Sequence, residues 1–233
     1  MSATQEFRFV SAFGESIGSL WGPSAGVRSR GCVLVCHGGS GHRLAADIVA
    51  TATELASTCE VHVATIDGPV HGQHSPYPDD RDRVIEDFRR LWRAGDGAVD
   101  RAVADWSAAV DALRSRADVP TERLAWYGVS MGTGYGIPVI ASTPAIAGAV
   151  LGMWSFEYPG SERIRLAAPD VRCPVQFHVR TEDQLFSLAD QTVLFEALGA
   201  DRKELLAYPG PHAAPPPEQL RAAGIFLTQT VFA

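Results

Sequence analysis

LAWYGVSMGTGYGIPVIA, residues 124–141, is the stretch on which the reading of this chain turns. Residues 124–129 form a strand-like apolar run, and the chain from Met131 to Ala141 suits a helix after a glycine-rich entry. Ser130 therefore stands on a strand-to-helix turn, between Gly128 and Gly132, in a Gly-x-Ser-x-Gly pattern. A serine on so sharp a turn is strained, and a Cβ two residues before or after it would clash. The helix that follows aims its N-terminal N–H groups at any negative charge developing beside the hydroxyl. The plainer alternative is a glycine-rich turn with an incidental serine.

Outward from this turn the chain alternates. Residues 31–36 and 61–66 are continuous apolar runs that suit buried parallel strands, and 146–153, 174–179 and 205–208 continue the series. Helical stretches lie between them at 44–56, 97–117, 188–198 and 218–231, the second with Val99, Val103, Trp106, Val110 and Leu113 along one face. The start differs: 7–10 and 16–21, joined at Gly14-Glu15, read as an antiparallel hairpin. The pattern predicts an α/β protein with about eight strands in a mostly parallel sheet, the first two antiparallel, flanked by helices. Residues 1–233 read as a single domain, since 233 residues make little more than one unit of roughly 150. Two segments fit the alternation badly, 70–96 and 154–172. Both follow predicted strands, so both are expected to roof a site at the carboxyl ends as a small cap.

Composition closes several routes. Apolar residues are 46% and the net charge is −7 without a basic stripe, so a full core is expected and nucleic acid is not an expected partner. The sole lysine, Lys203, precedes Glu204, which excludes a phosphate-binding Gly-Lys-Ser/Thr loop. Cys32, Cys36, Cys59 and Cys173 show no metal-ligand spacing and read as small buried hydrophobes in a reducing compartment. The first ten residues lack the basic start and apolar core of a secretory leader, and no apolar run is long enough to span a bilayer. The expectation is a cytoplasmic protein acting on a small molecule, with no membrane or nucleic-acid partner and with a homodimer left open.

Further candidates lie at other strand ends. CHGGSG, 36–41, ends one strand in a glycine turn that can expose a backbone N–H near Ser130. A dinucleotide-binding loop is the competing reading, but its third glycine is missing. Asp183 follows the strand 174–179 and His212 the strand 205–208, giving the order Ser, Asp, His; Glu182 is a neighbouring rival for the acid. A serine needs a base to be nucleophilic at neutral pH, and the base needs an orienting acid. Trp154, Phe156 and Tyr158, just past the strand 146–153, are candidates to line an acyl pocket too small for long chains. His71 and His74 lack further ligands for a metal; His37, His62 and His178 read as structural, and Phe88, Leu91 and Trp92 as packing.

CHGGSG at 36–41, DGPVHGQ at 67–73, GVSMG at 128–132, RTEDQLF at 180–186 and YPGPHA at 208–213 together resemble the α/β-hydrolase superfamily, near its dienelactone-hydrolase-like and small-esterase branch. The resemblance implies Ser130 as nucleophile, Asp183 as acid, His212 as base, and the N–H groups of Gly39 and Met131 as oxyanion donors. It implies a serine hydrolase cleaving a small carboxylic ester, with no metal or organic cofactor. Dienelactone hydrolases commonly carry cysteine where this chain has Ser130. Thioesterases, lactonases and acyltransferases use the same residues, and a non-catalytic ligand-binding member of the fold is the rival from outside the enzymes.

Overall fold

The computed structural model describes residues 4–95 and 97–233. An N-terminal hairpin, β1 (Gln5–Ser11) and β2 (Gly14–Trp21), leads into β3 (Cys32–Val35), α1 (Ala46–Thr58) and β4 (His62–Ile66). Then come α2 (Arg81–Ala94), α3 (Ala98–Arg114), β5 (Leu124–Tyr127), α4 (Met131–Ser142) and β6 (Ile146–Gly152). The chain ends with α5 (Glu162–Ala167), β7 (Val175–Arg180), α6 (Leu188–Ala197), β8 (Lys203–Tyr208) and α7 (Pro217–Thr230). The eight strands among the described residues form one sheet in the order β1-β2-β4-β3-β5-β6-β7-β8. β1 with β2 and β2 with β4 are antiparallel, and every other pair is parallel. This is the mostly parallel sheet that the alternation predicts.

Both faces of the sheet are covered, which is why its central strands read as unbroken apolar runs. Alternation survives inside those runs. Cys32, Leu34 and Trp126 join one core with side chains of α2 to α6, while Val33, Val35 and Tyr127 join another with α1 and α7. No helix among the described residues is long and apolar enough to cross a membrane.

Both irregular segments contain a helix, the first with Phe88, Leu91 and Trp92 at the helical spacing that the sequence shows. In 70–96, α2 turns Val84, Phe88 and Trp92 inward, with the Asp80 side chain accepting from Arg83 N–H and Gly95 closing it at φ 67°. In 154–172, α5 has six residues, too short for a period to emerge. The segments pack on each other through Trp92 against Trp154 and Phe88 against Tyr158, with ring centroids 5.2 and 6.3 Å apart. Residue 96 lies outside the described residues.

A buried ion pair fixes the carboxyl end of β4. Asp67 has no exposed side-chain surface, and its carboxylate accepts from Arg43 N–H at 2.7 Å, Gln73 N–H at 3.1 Å and the Arg43 guanidinium at 2.5 Å. Arg43 Nε also donates to Ser19 Oγ at 3.2 Å, so β2, the loop after β3 and the segment after β4 share one anchor. Burial raises the Asp67 pKa, but the two N–H groups and neighbouring positive charge outweigh it and hold the carboxyl below its ordinary value. A carboxyl depressed in the folded state contributes stability above its unfolded value, roughly pH 4, and loses it as pH falls through the lower folded value. Asp67→Ala would leave the largely buried Arg43 with only the exposed Glu6 carboxylate, 3.5 Å away, as counter-ion. It is expected to cost about 3–5 kcal/mol in urea unfolding at pH 7, with a smaller difference from the parent at acid pH.

Candidate active site

The turn between β5 and α4 is set by backbone crowding. Ser130 lies at φ 57° and ψ −126°, outside the regions L-residues favour. A Cβ on Gly128 would stand 2.6 Å from the Gly132 carbonyl oxygen, and one on Gly132 would stand 2.8 Å from that of Cys36. Thr133, fully buried, ties the crossing together. Its Oγ accepts from Gly152 N–H at 2.7 Å and lies 2.9 Å from the Gly128 carbonyl and 2.6 Å from that of Gly152. Ser130 N–H donates to Gly152 O at 2.9 Å. The ends of β3, β5 and β6 thereby meet at one serine.

His212 and Asp183 come to that serine from the ends of β8 and β7. Ser130 Oγ donates to His212 Nε2 at 2.9 Å, and His212 Nδ1 donates to Asp183 Oδ2 at 2.8 Å. The other Asp183 oxygen accepts from Leu185 and Phe186 N–H at 2.8 and 3.0 Å, so the carboxylate is fully engaged. Its side chain is wholly buried and that of His212 is 13% exposed. Burial raises the Asp183 pKa, but the hydrogen bond and charge of His212 and the two N–H groups hold it below the ordinary carboxylate range. Glu182, the rival acid, is exposed, and its N–H donates to Gly210 O at 3.2 Å. Gln184, unmarked in the sequence, accepts from His212 N–H at 2.9 Å.

Loop 36–41 stands opposite His212. A Cβ built on Gly39 would lie 3.9 Å from Met131 Cβ, so the two residues are neighbours. The N–H groups of Gly132, Thr133 and Gly134 go to the carbonyls of Val129 and Ser130. Those of Met131, Gly39 and Ser40 meet no acceptor among the described residues. A cleft of about 440 Å³ lies against Ser130 and His212, walled by residues 38–41, the first turn of α1, Arg81, Met153 and residues 213–215. A larger open recess of about 750 Å³ runs along the exposed charged face of α2, lined by Asp82, Ile85, Glu86, Arg89, Arg90 and Arg93, and holds none of these groups.

Trp154, Phe156 and Tyr158 do not line this cleft, which corrects their expected place. Trp154 is 2% exposed and packs behind Phe186, ring to ring at 5.2 Å, and Phe186 in turn packs on His212 at 5.7 Å. Phe156 is buried under the Arg165 guanidinium, and Tyr158 lies against Phe88. The cause is the exit from β6. Gly152 at φ 145° lies too close to β7 for any side chain, since a Cβ would meet the His178 carbonyl oxygen at 1.9 Å. Met153 follows at φ 55°; it takes the place in the cleft wall and Trp154 is turned into the core. A Gly-Met pair at a strand end gave no sequence signal for that reversal, so these aromatics do not bound the pocket.

The sheet order, the serine turn and the Asp183–His212–Ser130 alignment define an α/β-hydrolase. The profile of the dienelactone hydrolase family matches residues 72–213. The chain belongs to that family, hydrolases of ester bonds. Among solved structures, a cold-adapted esterase from an Arctic intertidal metagenomic library is 32% identical, over 98% of this chain and 94% of that one, with a TM-score of 0.85. An esterase of Pyrococcus furiosus is 17% identical over 98% and 93% at a TM-score of 0.74. A dienelactone hydrolase of Anabaena variabilis is 20% identical over 97% and 96% at 0.69. At those lower identities the likeness is one of fold. No curated protein matches the chain.

The glycine crowding is directly testable. Gly132→Ala has no room short of moving the Cys36 backbone, so α4 must shift from the end of β3. The expected cost is about 1–3 kcal/mol of stability, read by thermal denaturation, with a parallel loss of the Ser130–His212 alignment seen in a crystal structure of the variant.

Proposed function

We propose that this protein is a serine esterase that hydrolyses small carboxylic esters through an acyl-enzyme on Ser130. The observation that carries the reading is the continuous hydrogen-bonded line from Asp183 through His212 to a serine held on a strained turn. Ser130 Oγ attacks the ester carbonyl carbon while His212 Nε2 takes its proton. The carbonyl oxygen gains the electron pair and is stabilised by the unspent N–H groups of Gly39 and Met131. Collapse of the tetrahedral species breaks the bond to the alcohol, which leaves with the proton from His212. Water then repeats the sequence on the acyl-enzyme and releases the acid. Asp183 keeps His212 in the Nδ1–H tautomer and balances the charge of its protonated form.

Membership of the family and the 32% identity to the cold-adapted esterase support this reading. The cleft of about 440 Å³ is at the lower end of ligand pockets and matches a short ester rather than a lipid chain. The lining includes Asp47 and Arg81 at its rim.

Ser130→Ala is expected to lower kcat on p-nitrophenyl acetate by about 10⁴–10⁶-fold, and a fluorophosphonate should label Ser130 in the parent alone. Retention of most of the activity by the variant would remove the mechanism. Asp183→Asn is expected to lower kcat by about 10⁴-fold, because the amide favours the wrong imidazole tautomer. Across p-nitrophenyl esters, kcat/KM is expected to be highest for two- to four-carbon acyl groups and to fall toward dodecanoyl.

A further inference from the structure

Among the described residues, four non-glycine residues have positive φ: Glu60, Val70, Ser130 and Met153. Ser130 and Met153 belong to the cleft, but Val70 does not line it. A β-branched residue at φ 61° is a true outlier, and strain of this kind persists only where the surroundings impose it, often beside a functional site. The turn is fixed from its far side. Gly72 at φ 47° sits so close to the anchored Asp67 carboxylate that a Cβ would come within 2.3 Å of it. What the strained turn delivers is the ring of His71, which has no exposed surface.

That ring lies beneath the loop opposite Ser130. His71 Nε2 is 3.1 Å from the Gly39 carbonyl oxygen and Nδ1 is 2.6 Å from that of Pro69. It packs against His37 and Phe88, with centroids 4.8 and 5.7 Å away. His37 holds the preceding carbonyl. Its Nδ1 donates to Gly38 O at 2.8 Å, while its Nε2 accepts from Gly68 N–H at 2.9 Å. Two successive carbonyls, those of Gly38 and Gly39, are thus drawn toward two buried imidazoles. In a planar trans peptide the N–H points opposite to the C=O. The N–H groups of Gly39 and Ser40 therefore turn away from the imidazoles. Residues 38–41 line the cleft and neither imidazole does.

We propose that His71 is a positioning residue for the oxyanion site: by donating from Nε2 to the Gly39 carbonyl it fixes the plane of the Gly39–Ser40 peptide and aims the Ser40 N–H at the developing oxyanion, beside the donors of Gly39 and Met131. This rests on the esterase reading above. His71 touches no reacting atom and acts through that peptide. Burial lowers its pKa, whereas the two carbonyls and the Asp67 carboxylate oppose the change. Both ring nitrogens face carbonyl oxygens: the imidazolium donates to both, whereas the neutral ring protonated at Nε2 keeps the bond to Gly39 and sets a bare Nδ1 2.6 Å from the Pro69 carbonyl.

The test compares His71→Phe, which keeps a ring and removes both donors, with His71→Gln, whose amide can reproduce the Nε2–H. Each is assayed for kcat and KM on p-nitrophenyl acetate, for melting temperature, and for inhibition by an aryl trifluoromethyl ketone, which adds to the serine and places an oxyanion in the site. His71→Phe is expected to lower kcat by about 10–100-fold, less than the 10²–10³ of deleting a donor outright. KM should change less than about threefold, and the ketone should bind more weakly by the factor lost in kcat/KM. His71→Gln should restore most of both. Unchanged kcat in a folded His71→Phe overturns the proposal. So does a loss in kcat that tracks melting temperature while ketone affinity holds. Should His71→Phe not fold, His71→Asn takes its place, its shorter amide reaching Pro69 but not Gly39; equal activity of the Asn and Gln variants then overturns the proposal. A parent protein inactive on every ester would instead defeat the esterase reading itself, a separate result.

Discussion

The first turn of α4 runs against the ends of β3, β5 and β6 with no space for a side chain at Gly128 or Gly132, and the geometry of the site follows from that contact. Ser130 pays about 1–3 kcal/mol for its backbone conformation, and the Thr133 hydroxyl and the Gly152 carbonyl hold it there. A serine relaxed into the helix would point its hydroxyl along the helix surface, away from His212. Strain here is therefore a positional device: it lifts Oγ clear of the sheet and leaves the Met131 N–H unspent.

The same edge of the sheet gathers the other costly features. β3 connects to β4 on one side and lies beside β5 on the other, so the loops after β3 and β5 diverge and leave a crevice between them. Val70, Ser130 and Met153, three of the residues at positive φ, lie beyond the ends of β4, β5 and β6. Buried charge collects there as well. Asp67 meets Arg43, Asp183 meets His212, and Arg180 at the end of β7 donates to the carbonyls of Pro209 and Ala214 at 2.9 and 3.3 Å. Those two carbonyls bracket His212, so one guanidinium closes both sides of the loop that carries the imidazole. Buried ions in such places cost solvation and return a fixed geometry.

Much of this was legible in the chain. Central strands buried on both faces need unbroken apolar runs, and strands 31–36, 61–66 and 146–153 carry them. Ser130, Asp183 and His212 could be picked out because each follows a recognisable strand, and the choice of Asp183 over Glu182 matches the side chain that meets His212. Thr133, Gln184 and Phe186 could not, because nothing in the order of residues shows that a side chain three positions past the serine meets the end of another strand. The aromatics after β6 were misplaced for a related reason: the direction of Trp154 depends on two backbone angles set by contact with β7.

By itself the sequence determined the alternation of strands and helices, the hairpin start, and the sharp turn at Ser130. These are local or periodic properties: hydrophobic spacing, and the glycines that a tight crossing requires. Tertiary structure alone decided which carbonyls His37 and His71 hold, which oxygen of Asp183 faces His212, and whether Met153 or Trp154 meets the cleft. Each of those depends on where the end of one strand falls against its neighbour to within an ångström or two, and that register is set by packing of the whole sheet.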